Sequence, residues 1–220
     1  MVATIRIMDQ LQKDCWTYAP AQSAAHTVQH PYLTPGYGDA RSPVPFVIFS
    51  RPRTGSQLTI TLLNHHARVR CNLEVFHGGK PWLNWTIAHR EAHRAEFMDL
   101  VLSNRPPQPA WRPLTKLDPL AVGFLAQPGH LHFSELAALV LAPNIRKIVI
   151  DRSNSVDAYV SALKAKHMGK WSNVESSAVK ITVQPAKLMA FLTKTQASRD
   201  CLRKARRLAT KRCATATTAG

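Results

Sequence analysis

The period of apolar positions changes several times along the chain, and each change marks an element. Phe46-Val47-Ile48-Phe49 is an unbroken run of β-branched and aromatic residues, the pattern of a strand buried on both faces in a parallel sheet. The run breaks at Ser50 into a basic, Gly-containing turn, after which Leu58, Leu62 and Leu63 fall on one face of a helix ending near His66. Val69 to Leu73 predicts a second strand, making a βαβ unit with a right-handed crossover. Trp85, Ala88, Ala92, Ala95, Phe97, Leu100 and Val101 predict an amphipathic helix within 82–104. Pro106, Pro107, Pro109, Pro113 and Pro119 then forbid helix and predict a stiff loop over 105–119, of the length that often forms a lid. Ser134 is placed to cap a helix through Leu141, Ile145 to Asp151 predicts a third strand, and Ser155 to Lys166 a helix with Val156, Val160 and Leu163 inward. Val179 to Val183 reads as a last strand and Pro185 to Leu192 as a last helix, while residues 1–45, punctuated by Pro and Gly, read as an extended lead-in.

Composition narrows the class of protein. A 220-residue chain with 45% hydrophobic residues can bury a real core. Its formal net charge of +16 implies attraction to polyanions such as nucleotides, nucleic acid, anionic lipid or acidic polysaccharide. Arg199 to Arg212 contributes +6 of this through seven Lys/Arg against Asp200, so the remainder is basic in its own right. Cys15, Cys71, Cys201 and Cys213 have no C-x-x-C spacing, which argues against a zinc ribbon or disulfide scaffold. No segment offers the ~20 apolar residues of a membrane span, and no secretory leader is evident, so the expected location is cytoplasmic.

The turn after the first strand carries the chemistry. Unpaired N–H groups and the dipole at the start of the following helix favour an anion, and Arg53, Thr54 and Ser56 add a fixed charge and hydroxyl donors. The triphosphate-binding signature G-x-x-x-x-G-K-[ST] is not met, because Gly55 stands alone and no Lys follows it. Pro52-Arg53-Thr54-Gly55-Ser56 instead resembles the 5′-phosphosulfate loop of the sulfotransferase family, Pro-Lys/Arg-Ser/Thr-Gly-Ser/Thr. A second likeness lies at Arg152-Ser153-Asn154 with Ser161 nine residues after Arg152, similar to the Arg-x-Asn and Ser that bind the donor's 3′-phosphate in the nodulation-type carbohydrate branch. A third is Leu63-Asn64-His65-His66-Ala67-Arg68-Val69 with Asn72-Leu73-Glu74, which resembles that branch's Leu-Asn-x-His-Pro-x-Val and Asn-Gly-Glu. Ala67 replaces the Pro and Leu73 the Gly.

The resemblance spans about residues 45–192 and implies an α/β, P-loop-like three-layer fold with a central parallel sheet. It implies 3′-phosphoadenosine 5′-phosphosulfate (PAPS) as donor, with Arg53, Thr54, Gly55, Ser56 and Gln57 at its 5′ end and Arg152 and Ser161 at its 3′-phosphate. Arg53 would also stabilise developing charge, and Glu74 would be the base that deprotonates a hydroxyl acceptor, expected to be a carbohydrate. No magnesium or other metal site is implied. Trp171 resembles a Trp of the same branch that flanks the nucleotide or packs nearby. The family pattern continues beyond this point, so the expectation is a shortened domain over 46–198 followed by a basic tail over 199–220.

The same residues admit plainer roles. Arg53 can be a solvated turn residue, Arg152 a strand-end ion pair, Ser161 a helix-surface hydroxyl, and Glu74 or Lys80 a surface charge. His89 and His93 stand at i, i+4, but Arg90 occupies the place of the Glu in the zinc-protease motif, and a charged helix surface is expected there. His130 and His132 are expected at a loop and strand edge. The basic tail is expected to be solvated or to touch a polyanion, with replacement of the missing C-terminal donor contacts as a third possibility. Two functional alternatives to catalysis follow: a non-catalytic family remnant binding nucleotide or anionic glycan, and a basic nucleic-acid-binding protein.

Overall fold

The computed structural model describes residues 43–79, 81–82, 85–103, 119–127, 129–169 and 179–217, with side chains of the last helix described through Asp200 and at Arg203. Lys80, Trp171, most of the N-terminal lead-in and nearly all of the proline-rich loop lie outside them. The elements are β1 (Val44–Ser50), α1 (Ser56–His65), β2 (Val69–Asn72), α2 (Ile87–Ala92), α3 (Arg94–Leu102), β3 (Ala121–Ala126), α4 (Phe133–Leu141), β4 (Arg146–Ile150), α5 (Ser155–Met168) and α6 (Pro185–Thr217).

The four strands form one parallel sheet in the order β2-β3-β1-β4. This is the expected α/β three-layer fold with a central parallel sheet. Because β1 is hydrogen-bonded on both sides, its residues from Pro45 onward are buried on both faces, as their composition requires. Phe46 and Ile48 point into a layer with Ile60, Leu63, Cys71 and Leu125 under α1, whereas Val47 and Phe49 join Phe97, Val101, Phe124 and Leu139 under α3 and α4. Phe76 anchors the second layer, its ring edge-on to Phe97 and tilted against Phe124, with centroids 5.3 Å away in each case. The outer edge of β2 is covered by Asn64, whose amide donates to the Cys71 carbonyl at 2.9 Å and accepts the Cys71 N–H at 2.8 Å.

Several details differ from the sequence pattern. Residues 121–126 form β3 between β2 and β1, so the expected βαβ neighbours are separated by a strand that enters later in the chain. Leu58 and Leu62 are exposed on α1, and Ile60 with Leu63 faces the sheet instead. The expected helix over 82–104 is two helices, interrupted where the His93 N–H is shared between the carbonyls of His89 and Arg90. The residue preceding α4 is His132, not Ser134, and its N–H is accepted by the Glu135 carboxylate at 2.8 Å. On α5 Ala158, Tyr159 and Ala165 are buried while Val156 is exposed. Val179 to Val183 pairs with no strand among the described residues, and α6 runs on to Thr217 rather than stopping at Leu192.

Gly123 faces Phe46 across the β1–β3 ladder, and a Cβ there would stand 2.2 Å from the Phe46 carbonyl oxygen and 2.4 Å from its ring. Gly123→Ala is therefore expected to destabilise the protein by at least about 2 kcal/mol through overpacking at the sheet centre. Urea unfolding checks this: the midpoint should fall with an unchanged slope, and an unchanged midpoint would show that Phe46 moves aside without cost.

Candidate functional site

Parallel strands end together, so the loops after β1, β2, β3 and β4 share one edge of the sheet. The chain leaves β1 toward β2 on one side, whereas β3 is followed by β4 on the other, which opens a crevice at the carboxyl end of β1, the usual ligand position in open α/β sheets. The loop at that point is sharply bent. Arg53 has φ 67, a left-handed conformation that is uncommon for a non-Gly residue, and Gly55 has φ 90. The Thr54 hydroxyl donates to the Arg51 carbonyl at 2.8 Å and so braces the turn from within. Gly55 precedes α1 and has no side chain with which to cap its first N–H groups. Ser50, at the end of β1, is 3% exposed and its hydroxyl has no hydrogen-bond partner among the described residues.

The loop after β4 lies alongside. Arg53 Nε donates to Ser161 Oγ on α5 at 2.9 Å, joining residues 108 positions apart. Asn154 caps α5 by accepting the Asp157 N–H, and the Arg152 guanidinium lies 3.4 Å from the Asp157 carboxylate on the exposed rim. Sequence reasoning did not single out the residue that holds this loop. Arg199 donates to Asp151 at 2.5 Å and also to the carbonyls of Arg152 and Ser153. It is the first residue of the expected basic tail, and its side chain is only 17% exposed and is built into the site. One turn-and-turn pattern on α6 explains why: Phe191, Thr195 and Arg199 repeat every four residues, and Phe191 contacts Tyr159 and lies 5.0 Å beneath the Arg51 guanidinium. Burial, aided by neighbouring Arg199 and opposed by Asp151, holds the Arg51 pKa below its ordinary value.

Glu74 sits elsewhere on the same edge. It follows β2, two strands from β1 and thus about 10 Å along the sheet. Gln127 Nε2, after β3, donates to Glu74 Oε1 at 2.7 Å. Neither this partner nor the nearby His77 and His130 follows from sequence spacing, because tertiary structure alone unites them. His130, expected at a simple loop, is half-buried, and its pKa is lowered to about 4 by burial and by the adjacent His77, Arg90 and Arg94. His89 and His93 are by contrast exposed, their rings stacked beside Trp85.

The edge thus has two parts: an arginine-lined crevice at β1 and β4, and a carboxylate with two imidazoles at β2 and β3. The fold and this edge define an α/β protein with a candidate anion site. No family model, curated protein or solved structure matches the chain. No helix among the described residues is long and apolar enough to cross a membrane.

The His130 shift makes a signed prediction. The unfolded chain binds this proton near pH 6.5 and the folded protein only near 4, so stability is lost as pH falls from 6.5 toward 4. Histidine NMR should place the His130 midpoint near 4, and His130→Gln should flatten the stability profile over that interval. A midpoint near 6.5 would contradict the desolvated position.

Proposed function

We propose that this chain is a sulfotransferase that moves a sulfuryl group from PAPS to a hydroxyl on a carbohydrate. The observation that carries the reading is the Arg53–Ser161 hydrogen bond, which joins the two sequence segments resembling the ends of a donor clamp at adjacent strand termini. Arg53, Gly55, Ser56 and Gln57 take the 5′-phosphosulfate at the start of α1, and Thr54 braces the loop that presents them. Arg152 and Ser161 take the 3′-phosphate, with Arg199 holding the Arg152 loop through its carbonyls.

Transfer requires an acceptor oxygen in line with the sulfur and positive charge near the bridging oxygen that leaves. Arg53 supplies charge at the phosphosulfate, and the helix dipole adds to it. As the acceptor oxygen forms its bond to sulfur, the bond from sulfur to the phosphate oxygen breaks and its electron pair leaves with the nucleotide. Glu74 takes the acceptor proton, its carboxylate oriented by Gln127.

Calorimetric titration with 3′,5′-adenosine bisphosphate tests the donor half. Saturable binding is expected, weakened about tenfold or more by Arg53→Ala and by Arg152→Ala, since each removes a charge-assisted contact. A folded wild-type protein that does not bind would contradict the reading. Labelled-sulfate transfer to a glycan panel tests the chemistry: Glu74→Gln should lower the rate on the order of 100-fold while nucleotide binding persists. An unchanged rate removes Glu74 from the base role, and nucleotide binding without transfer in the wild type supports a non-catalytic nucleotide or anionic-glycan binder. Tight, salt-sensitive nucleic-acid binding without saturable nucleotide affinity supports the basic nucleic-acid-binding alternative.

A further inference from the structure

The residues around Glu74 form a more elaborate arrangement than a lone base needs. Its carboxylate and one ring nitrogen each from His77 and His130 lie within 4.8 Å of one another. The two imidazoles meet edge-on with centroids 5.4 Å away. Arginines hold both loops that carry them. Arg90, only 1% exposed, donates to the carbonyls of Val75 at 2.9 Å and His77 at 3.0 Å. Arg94 donates to the His130 carbonyl at 2.9 Å while gripping Glu135 through two further bonds of 2.6 and 2.8 Å. Burying guanidinium groups is costly unless their N–H donors are matched, and here the matching groups are the backbone that sets the histidines.

The triangle is small enough to hold a hydroxyl. An atom central to corners that lie within 4.8 Å of one another stands at most about 2.8 Å from each, inside hydrogen-bond reach of a hydroxyl oxygen. Proton positions agree. The Gly79 N–H donates to His77 Nδ1 at 3.0 Å and the Gln127 N–H to His130 Nδ1 at 3.3 Å, so each neutral ring keeps its proton on Nε2. With Nδ1 engaged and Nε2 protonated, neither ring offers a ready lone pair to a metal.

A cavity of about 250 Å³ adjoins the triangle and shares His130 with it. Phe76, Ile87 and Leu131 contribute apolar lining, and Glu91 and Arg94 polar lining. That volume is below the usual ~300–1,000 Å³ of drug-sized sites, and the mixed lining suits a single sugar ring, with C–H groups on its faces and hydroxyls at its edge.

We propose that this triangle and cavity are the sugar-binding acceptor subsite, with the reacting hydroxyl held among Glu74, His77 and His130. For its role in transfer the inference rests on the sulfotransferase reading; for binding it stands independently. The hydroxyl donates its O–H to Glu74 and accepts an imidazole N–H on one lone pair. Its other lone pair remains to form the bond to sulfur.

Histidine-selective NMR of the full chain tests the subsite, using methyl β-glucoside, methyl β-galactoside and methyl α-mannoside as probes, each with and without 3′,5′-adenosine bisphosphate. At least one glycoside should shift the His77 and His130 resonances and leave exposed His65 unmoved. His77→Gln and His130→Gln should each weaken that glycoside about tenfold while nucleotide affinity changes less than twofold. Absence of shifts with all three glycosides, in both conditions, overturns the inference. So does stoichiometric zinc binding through His77 and His130, which would identify a metal centre. Nucleotide affinity is read separately, so glycoside shifts without nucleotide binding retain the sugar site and reject the donor reading. If either variant does not fold, the wild-type shifts decide.

Discussion

The parallel pairing of β1 between β3 and β4 is the constraint on which the other features depend. A strand hydrogen-bonded on both sides and covered on both faces cannot slip without moving its apolar side chains, so the register that pairs Phe49 with Ala126 and Val149 is strongly specified. Since all strands run the same way, that register also decides which loops meet. The bent Arg51–Gly55 segment comes to rest beside Asp151–Asn154 and under α5, and residues far apart in sequence become hydrogen-bonded neighbours. The buried Ser50 hydroxyl at the end of β1 finds no hydrogen-bond partner among the described residues.

Arginine is used differently in the two halves of the sheet edge. Near β2 and β3, Arg90 and Arg94 are structural: their charges are matched by Glu91 and Glu135 and their remaining donors fix loop carbonyls. Near β1 and β4, Arg51, Arg53, Arg152 and Arg199 converge where Asp151 and Asp157 are the carboxylates that answer them. Among the described residues of this second group the arginines outnumber the carboxylates, which favours an anion there. The first half presents the opposite character, a carboxylate with imidazoles, suited to holding a neutral hydroxyl and removing its proton.

Much of this was legible in the sequence where local pattern and tertiary environment agree. Phe46 to Phe49 is a continuous apolar run because both sides of β1 are buried, and Arg53, Arg152 and Ser161 could be connected through their motif likeness. β3 was missed although Leu120 to Ala126 is apolar between Pro119 and Gln127-Pro128-Gly129, because Gly123 and the terminal alanines dilute its β-branched character. The length of α6 also had a signal, since no Gly or Pro occurs between Ala186 and Ala219. Val179 to Val183 has strand composition but no pairing partner among the described residues. His77 and His130 carried no spacing signal, because loops after two different strands bring them together around Glu74.

Hydrogen exchange with and without 3′,5′-adenosine bisphosphate tests most directly whether the β1 and β4 loops form one anion site. Slower exchange is predicted in both Arg51–Leu58 and Asp151–Asp157 at the same nucleotide concentration, with little change in β2. Protection of one loop alone, or of neither in a folded protein at high nucleotide concentration, would contradict a shared site.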